Sequence, residues 1–346
     1  MMSLTVIDDI IDETRDYYVD YRGRLTGSLL LLPYFGSVTV KQIGSKSYCY
    51  LQKRTVSCKE NSYIGVDGSD EVERVKSLVT KRQKILQEIK VIDLSLKKTG
   101  ASVKNEDLNE TVKSVLKIFS DNDLWEHGIE LVGSWCFNVY QNYLNVENFP
   151  LRTDDIDIAI ALPYKGKEAD LPRLLKHLGF VEQFYPNGVA FYEGVGLKVE
   201  FIVPEKGKGV DSGRVEVKKL KISAQPLRFL DILTSHPHTI KIRGCGNVKV
   251  PAPSAFAIHK LLAAPRRKNK QRIGKDYIQA FYVLKMIFSN PEQYQSEFDE
   301  VIRSLHPSWS KQIGESISAM KDCVPLTDEG AAEFIEKRMI QVLEAF

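Results

Sequence analysis

Cysteine is scarce in this chain of 346 residues. Its five cysteines, Cys49, Cys58, Cys136, Cys245 and Cys323, are odd in number and none sits at the spacing of a metal site. That argues against a disulfide framework and against zinc, and it leads us to expect a reducing, cytoplasmic location. Long apolar runs are also missing. The best, at 29–32, is ended by Pro33, far short of the roughly 18–20 residues that a membrane span needs. The opening MMSLTVIDDIIDE has no positive start followed by an apolar stretch, so no signal peptide is expected. Charge of one sign is lacking too. Lys and Arg number 48 against 45 Asp and Glu, a balance that says little about partners and turns attention to local clusters. With 43% apolar and 27% charged residues, neither a disordered nor a collagen-like chain is expected.

What is present divides the chain into three regions, in keeping with the domain sizes expected at this length. Residues 1–100 read as a short helix, a small β unit and a long helix. Alternation over 37–43 predicts a strand, Gly44-Ser45-Lys46 a turn, and 47–52 a strand pairing back, with another around 62–65. Lys41, Lys46, Lys53, Arg54 and Lys59 lie beside Tyr48, Tyr50 and Tyr63, as on a face where cations meet phosphate and rings stack on bases. The plainer reading is a small sheet with solvated lysines on its edges. The helix over 70–98 carries Asp70 as a cap and Glu73 three positions on. Val75, Leu78, Ile85, Ile89, Ile92 and Leu96 fall on heptad seam positions broken by Arg82. They suit a homodimer seam, or an amphipathic helix lying on a domain. A linker follows at 97–104, then a helix with Leu108, Val112, Val115, Leu116 and Phe119 on one face.

Residues 101–252 alternate short strands and helices, and 253–346 read as almost entirely helical, with Ser254 as the N-cap of the first helix. The fold class expected is α+β: a small mixed-sheet core, a helical C-terminal domain and the β-plus-long-helix N-terminal region.

Three features converge on one chemistry. Gly133-Ser134 stands between the apolar strand 129–132 and a helix. Glycine allows close backbone approach, and the free amides of a helix start favour phosphate. A Gly-Ser turn is by itself more often a simple strand-to-helix cap. Next comes Arg152-Thr153-Asp154-Asp155-Ile156-Asp157. Residues two apart on a strand share a face, so Asp155 and Asp157 point together while Ile156, Ile158 and Ile160 face the core. Two neighbouring carboxylates repel unless a cation joins them, and an oxygen-rich pair suits Mg²⁺ together with phosphate oxygens and water. Asp154 points the other way. Glu200 is the single acid of the run 197–203, opposite in direction to Val199, Phe201 and Val203. A lone carboxylate there needs a cation or donors, although alone it would read as an edge-strand surface residue.

This ordered set resembles the nucleotidyltransferase superfamily of the DNA-polymerase-β type, and is similar to the bacterial AbiEii-like abortive-infection toxins. The resemblance runs over about 128–290. It includes His259-Lys260, the basic run Arg266, Arg267, Lys268, Lys270 and Arg272, and Lys275-Asp276. It implies transfer of a nucleoside monophosphate from an NTP to an acceptor hydroxyl, with pyrophosphate released and two Mg²⁺ ions held by Asp155, Asp157 and Glu200. Glu200 completes the second ion site or acts as base. Gly133, Ser134 and Arg152 would meet the nucleotide phosphates, Arg152 equally serving as a support of its loop. Lys260 would pair with the triphosphate, and Asp276 would orient Lys260 or contact the nucleotide. The implied acceptor is an RNA such as tRNA, or a protein, with an antitoxin as a conceivable partner. The alternatives are a non-catalytic nucleic-acid binder that keeps the fold, and an antibiotic-modifying nucleotidyltransferase. His236-Pro237-His238 lacks a third ligand nearby and reads as a loop.

Overall fold

A computed structural model of the chain describes residues 37–54, 59–98, 108, 110–147, 149, 153–194, 196–205, 213–324 and 328–345, with single positions between 14 and 32. Most of the opening helix, most of the 97–104 linker and Arg152 lie outside the described residues.

The alternating N-terminal segments form a three-stranded antiparallel sheet from β1 (Ser37–Ile43), β2 (Lys46–Arg54) and β3 (Lys59–Val66). One face is apolar and lies on α1 (Asp70–Lys98): Leu51, Val75 and Val79 pack together with Val38 and Ile64. Each aliphatic side chain buried in this way stabilises by about 1.5–3 kcal/mol. The first helical hydrogen bond of α1 runs from the Glu73 N–H to the Ser69 carbonyl at 3.0 Å, so Asp70 is the first helical residue rather than the cap. Asp70, Glu71 and Glu73 complement the positive end of the helix. Further along, Ile85, Ile89 and Ile92 pack against Leu25 and Leu32. These three seam positions thus lie against residues of the same chain. Arg82, the break in the heptad pattern, is buried and donates from Nη2 to the Asp322 carbonyl at 3.1 Å. It ties the long helix to the C-terminal helices.

The core begins with α2 (Glu110–Asp121), followed by β4 (Ile129–Val132), α3 (Gly133–Tyr143), β5 (Asp155–Ile160), α4 (Leu171–His177), β6 (Val181–Phe184), β7 (Ala190–Gly194), β8 (Leu197–Pro204), β9 (Val215–Val217) and β10 (Ile222–Leu227). These strands make one mixed seven-stranded sheet with the path β4-β5-β8-β10-β9. β4 runs antiparallel to β5, and β5 parallel to β8. The first half of β8 also pairs with β7, and its end pairs with β10. The short α5 (Leu230–Thr234) leads to a separate hairpin, β11 (Pro237–Ile242) and β12 (Gly246–Pro251). The remainder is helical: α6 (Pro253–Ala263), α7 (Lys270–Ser289), α8 (Pro291–Ser304), α9 (Trp309–Lys321) and α10 (Glu329–Ala345). The expected α+β class, with a mixed sheet and a helical C-terminus, is the observed one.

A single apolar core extends from Leu108 to Val342. It joins the sheet to the C-terminal helices, so packing continues across position 252. Among the described residues no helix is long and apolar enough to cross a membrane. Two local expectations are corrected. Ser254 is not a cap: Ala252 takes that position, Pro253 opens the helix, and the Ser254 hydroxyl donates to Glu297 Oε1 at 2.8 Å. Pro237 and His238 open strand β11 rather than lying in a loop, and His238 Nε2 is 2.6 Å from Glu297 Oε2.

Candidate active site

The acidic face is built by strand register. On β5 and β8, Asp155 pairs with Lys198 and Asp157 pairs with Glu200. The intervening Ile156, Ile158, Val199 and Phe201 are fully buried on the other side. The alternation of the two strands therefore delivers Asp155, Asp157 and Glu200 to one surface beside one another. Val132, the last residue of β4, is opposite Asp157, which brings Gly133 directly over that carboxylate. Gly133 has φ of 68°, and a Cβ there would overlap the Asp157 side chain. Only glycine combines this backbone conformation with this approach.

Lys198 belongs to the same face, two residues before Glu200. Its ammonium lies 3.1 Å from Asp155 Oδ1 and 3.2 Å from Glu200 Oε1. It also donates to the Tyr185 hydroxyl at 2.8 Å, and that hydroxyl donates to Glu200. Tyr185 packs at a tilt against Phe191 with centroids 4.5 Å apart, and both rings flank the ammonium. Burial opposes the charge on Lys198, but Tyr185, Glu200 and Asp155 outweigh it and hold its pKa above the usual range. Asp157 has no such partner. Burial, then the nearby Glu200 and Asp155, push its carboxyl up to about 7, against the pull of Lys260 and Arg267.

Helices α6 and α7 supply the opposite wall. Lys260 Nζ is 2.6 Å from Asp276 Oδ1, and Arg267 Nε is 2.9 Å from Asp276 Oδ2. Lys260 and Asp276 are both buried. Burial would raise the Asp276 pKa, yet Lys260 and Arg267 overcome it and hold the carboxyl below its usual value. Lys275 is pushed down to about 8 by burial and by the neighbouring Lys260, while Asp276, Asp157 and Asp155 work against that shift. Arg272 reaches toward the strands, with Nη2 3.6 Å from Asp155 Oδ2. His259 is kept neutral, its pKa lowered to about 3 chiefly by burial. Together the two walls enclose a cavity of about 680 Å³.

Of the residues expected to form the site, Gly133, Ser134, Asp155, Asp157, Glu200, Lys260 and Asp276 all line this cavity. Arg152 lies outside the described residues. Sequence reasoning assigned no role to Lys198 or Tyr185, and noted Arg267 and Lys275 only as members of the basic stretch and of the Lys275-Asp276 pair. The parity of Lys198 with Glu200 was a usable signal, because residues two apart on a strand share a face. Tyr185 follows a short strand with no apolar alternation, and nothing local announces it.

An α+β core with a helix N-terminus over acidic strands has the make-up of a phosphoryl-transfer site. Residues 110–306, more than half of the chain, match the family model described as Nucleotidyltransferase, and the chain belongs to that family of enzymes. No curated protein matches the chain. Among solved structures, it is similar to an antigenic nucleotidyltransferase-like protein from Paracoccidioides brasiliensis, at 15% identity and a TM-score of 0.32, covering 59% of this chain and 93% of that one. It is also similar to the antibiotic-resistance factor ANT(2'')-Ia, at 14% identity and a TM-score of 0.29, covering 54% and 96%.

Proposed function

We propose that this enzyme moves a nucleoside monophosphate from an NTP to an acceptor hydroxyl, using Mg²⁺ held on the β5–β8 face. The observation that carries this reading is the cavity itself. One wall carries Asp155, Asp157 and Glu200 beside Gly133, and the other carries Lys260, Arg267 and Lys275. Acids suit metal and basic groups suit phosphate.

The donor set fits a magnesium ion in its chemistry. All three groups are carboxylates, and the raised pKa of Asp157 marks an acid short of cationic partners. In the present side-chain arrangement the three do not converge, since the Lys198 ammonium stands between Asp155 and Glu200. Among the described residues no three His, Cys, Asp or Glu side chains are grouped as a metal site. Asp155 and Asp157 would hold the metal, with Glu200 joining once Lys198 swings away. When bound, Mg²⁺ supplies charge neutralisation at the phosphates and lowers the pKa of the attacking hydroxyl.

The protein's own groups then have defined tasks. The backbone at Gly133 and Ser134, at a helix start, receives phosphate oxygens. Lys260, Arg267 and Lys275 balance the charge of the triphosphate, and Asp276 fixes the first two in place. Glu200, oriented by Tyr185, accepts the proton of the attacking hydroxyl. A bond forms between the acceptor oxygen and the α-phosphorus, the bond to the bridging oxygen breaks, and pyrophosphate leaves.

Incubation of the protein with Mg²⁺, each labelled NTP and a total cell extract tests this. Nuclease and protease digestion of the product separates an RNA acceptor from a protein one. Label transfer should fall by at least about a thousandfold in the Asp155→Ala, Asp157→Ala double variant. Transfer that survives the double change removes the mechanism.

A further inference from the structure

The N-terminal sheet has an outer face turned away from α1. Cys49 and Leu51 of β2 are buried against α1, so the alternate residues Tyr48, Tyr50 and Gln52 point away from it. Register places Lys41 opposite Tyr48, Thr39 opposite Tyr50, and Tyr63 opposite Tyr50 on the other side. The three tyrosines form one aromatic group. Tyr63 is 5.6 Å from Tyr50 and 6.2 Å from Tyr48, centroid to centroid. Lys41 Nζ lies 5.0 Å over the Tyr50 ring. Tyr63, on the edge strand β3, is 57% exposed, while Tyr48 and Tyr50 on the central strand are half-buried. Beside the rings, Gln52 Nε2 donates to Asn61 Oδ1 at 3.1 Å.

Charge on this unit is one-sided. Between 37 and 66 the chain carries Lys41, Lys46, Lys53, Arg54 and Lys59 against the single acid Glu60. One exposed ring beside two half-buried ones, with Lys41 over Tyr50, further basic residues along the same strands and amide groups at the border, has a specific chemical complement. Rings stack on bases, cations neutralise phosphates, and amides bond base edges or 2′-hydroxyls. An acidic peptide would use the cations but leave the rings in water. A duplex hides its bases and could meet only the cations.

We infer that the Tyr48–Tyr50–Tyr63 face is a binding platform for single-stranded RNA. Its use as the holder of the acceptor strand rests on the nucleotidyl-transfer reading above; the binding itself does not. The two are separable because the platform residues lie on the N-terminal unit and the acids lie on β5 and β8.

The test is fluorescence anisotropy of full-length protein with a labelled oligouridylate of about 12 nucleotides, at about 50 and 200 mM salt. Wild-type protein should bind, and more weakly at the higher salt. The Tyr48→Ala, Tyr50→Ala, Tyr63→Ala variant should lose affinity by about a hundredfold, since each stacked base contributes up to tenfold or more. The triple Tyr→Phe variant should stay within about threefold of wild type, because stacking survives loss of the hydroxyls. Circular dichroism melting shows whether the Ala variant is folded; should it not be, the single variant Tyr63→Ala, at an exposed site, replaces it and should lose about tenfold. Asp155→Ala should bind RNA as wild type does, whatever becomes of transfer. Absence of RNA binding by wild type, equal binding of a duplex of the same length, or unchanged binding by a folded Ala variant would overturn the platform. So would concentration-dependent self-association lost in the Ala variant without RNA binding, since the face would then belong to a second copy.

Discussion

Two charged clusters face each other across the cavity, and they are balanced in opposite ways. On the helical wall, Asp276 is buried but accepts from both Lys260 and Arg267, and its pKa is held down. On the strand wall, Lys198 serves Asp155 and Glu200, Arg272 reaches Asp155, and Asp157, paired with neither, is pushed up to about 7. The helical cluster is satisfied within the protein. The strand cluster is not, and its deficit is of positive charge. A site that must accept a cation and the phosphates of a nucleotide is expected to look like this: a settled anchor on one side and an uncompensated acidic surface on the other.

Neutralising the anchor should have the largest effect on stability. Asp276→Asn would leave Lys260 buried and Arg267 half-buried without their shared anion. Removing one partner of a buried pair costs about 3–5 kcal/mol, so urea unfolding should show a loss of that order. The sign with pH follows from the depressed pKa: the contribution of Asp276 is complete above the ordinary carboxylate range and fades as pH falls below it. A loss under about 1 kcal/mol would mean that the helical wall is not the settled half of the pair.

A third acid sharpens the contrast. Glu130 of β4 is 1% exposed, and its Oε2 finds no hydrogen-bond partner. Burial raises its pKa to about 8, and Lys249 pulls only weakly against that. A carboxyl raised on folding supports stability below the ordinary carboxylate range and loses that support as pH rises through about 8. Glu130→Gln should therefore raise stability at pH 8 by about 4 kcal/mol and change it by under about 1 kcal/mol at pH 5. Thermal melts at the two pH values check this. Equal effects at both would show that Glu130 ionises freely in the fold.

The acidic strand pattern was legible because it is local. Parity along β5 and β8 sets Asp155, Asp157 and Glu200 apart from the buried Ile156, Ile158, Val199 and Phe201, and the Gly133-Ser134 turn marks the strand-to-helix junction. The alternation over 37–52 likewise disclosed β1 and β2. Contacts made only by tertiary packing were hidden. Ser254 reads as a cap until Glu297 from a later helix takes its hydroxyl. Arg82 reads as a flaw in a heptad until the Asp322 carbonyl receives it. β6 escaped notice because all four of its residues are exposed, which leaves no apolar face to read.

The smallest effect tests the comparison from the opposite direction, by taking the resident cation from the strand wall. Lys198→Met keeps the length of the side chain and its contact with Tyr185 and Phe191 but removes the charge between Asp155 and Glu200. Those acids then face each other with only the Arg272 guanidinium, 3.6 Å from Asp155, beside them. Because the lysine is partly open to solvent, the loss should be only about 1 kcal/mol without metal. Mg²⁺ should offset this loss, since the ion no longer competes with an ammonium for the same oxygens. Melting curves with and without Mg²⁺ should thus show a lower starting point and a larger metal-induced rise in Lys198→Met than in wild type. Equal metal-induced rises in the two proteins would mean that Lys198 does not stand where the ion binds, and the strand wall would lose its claim to be the cation-seeking half of the cavity.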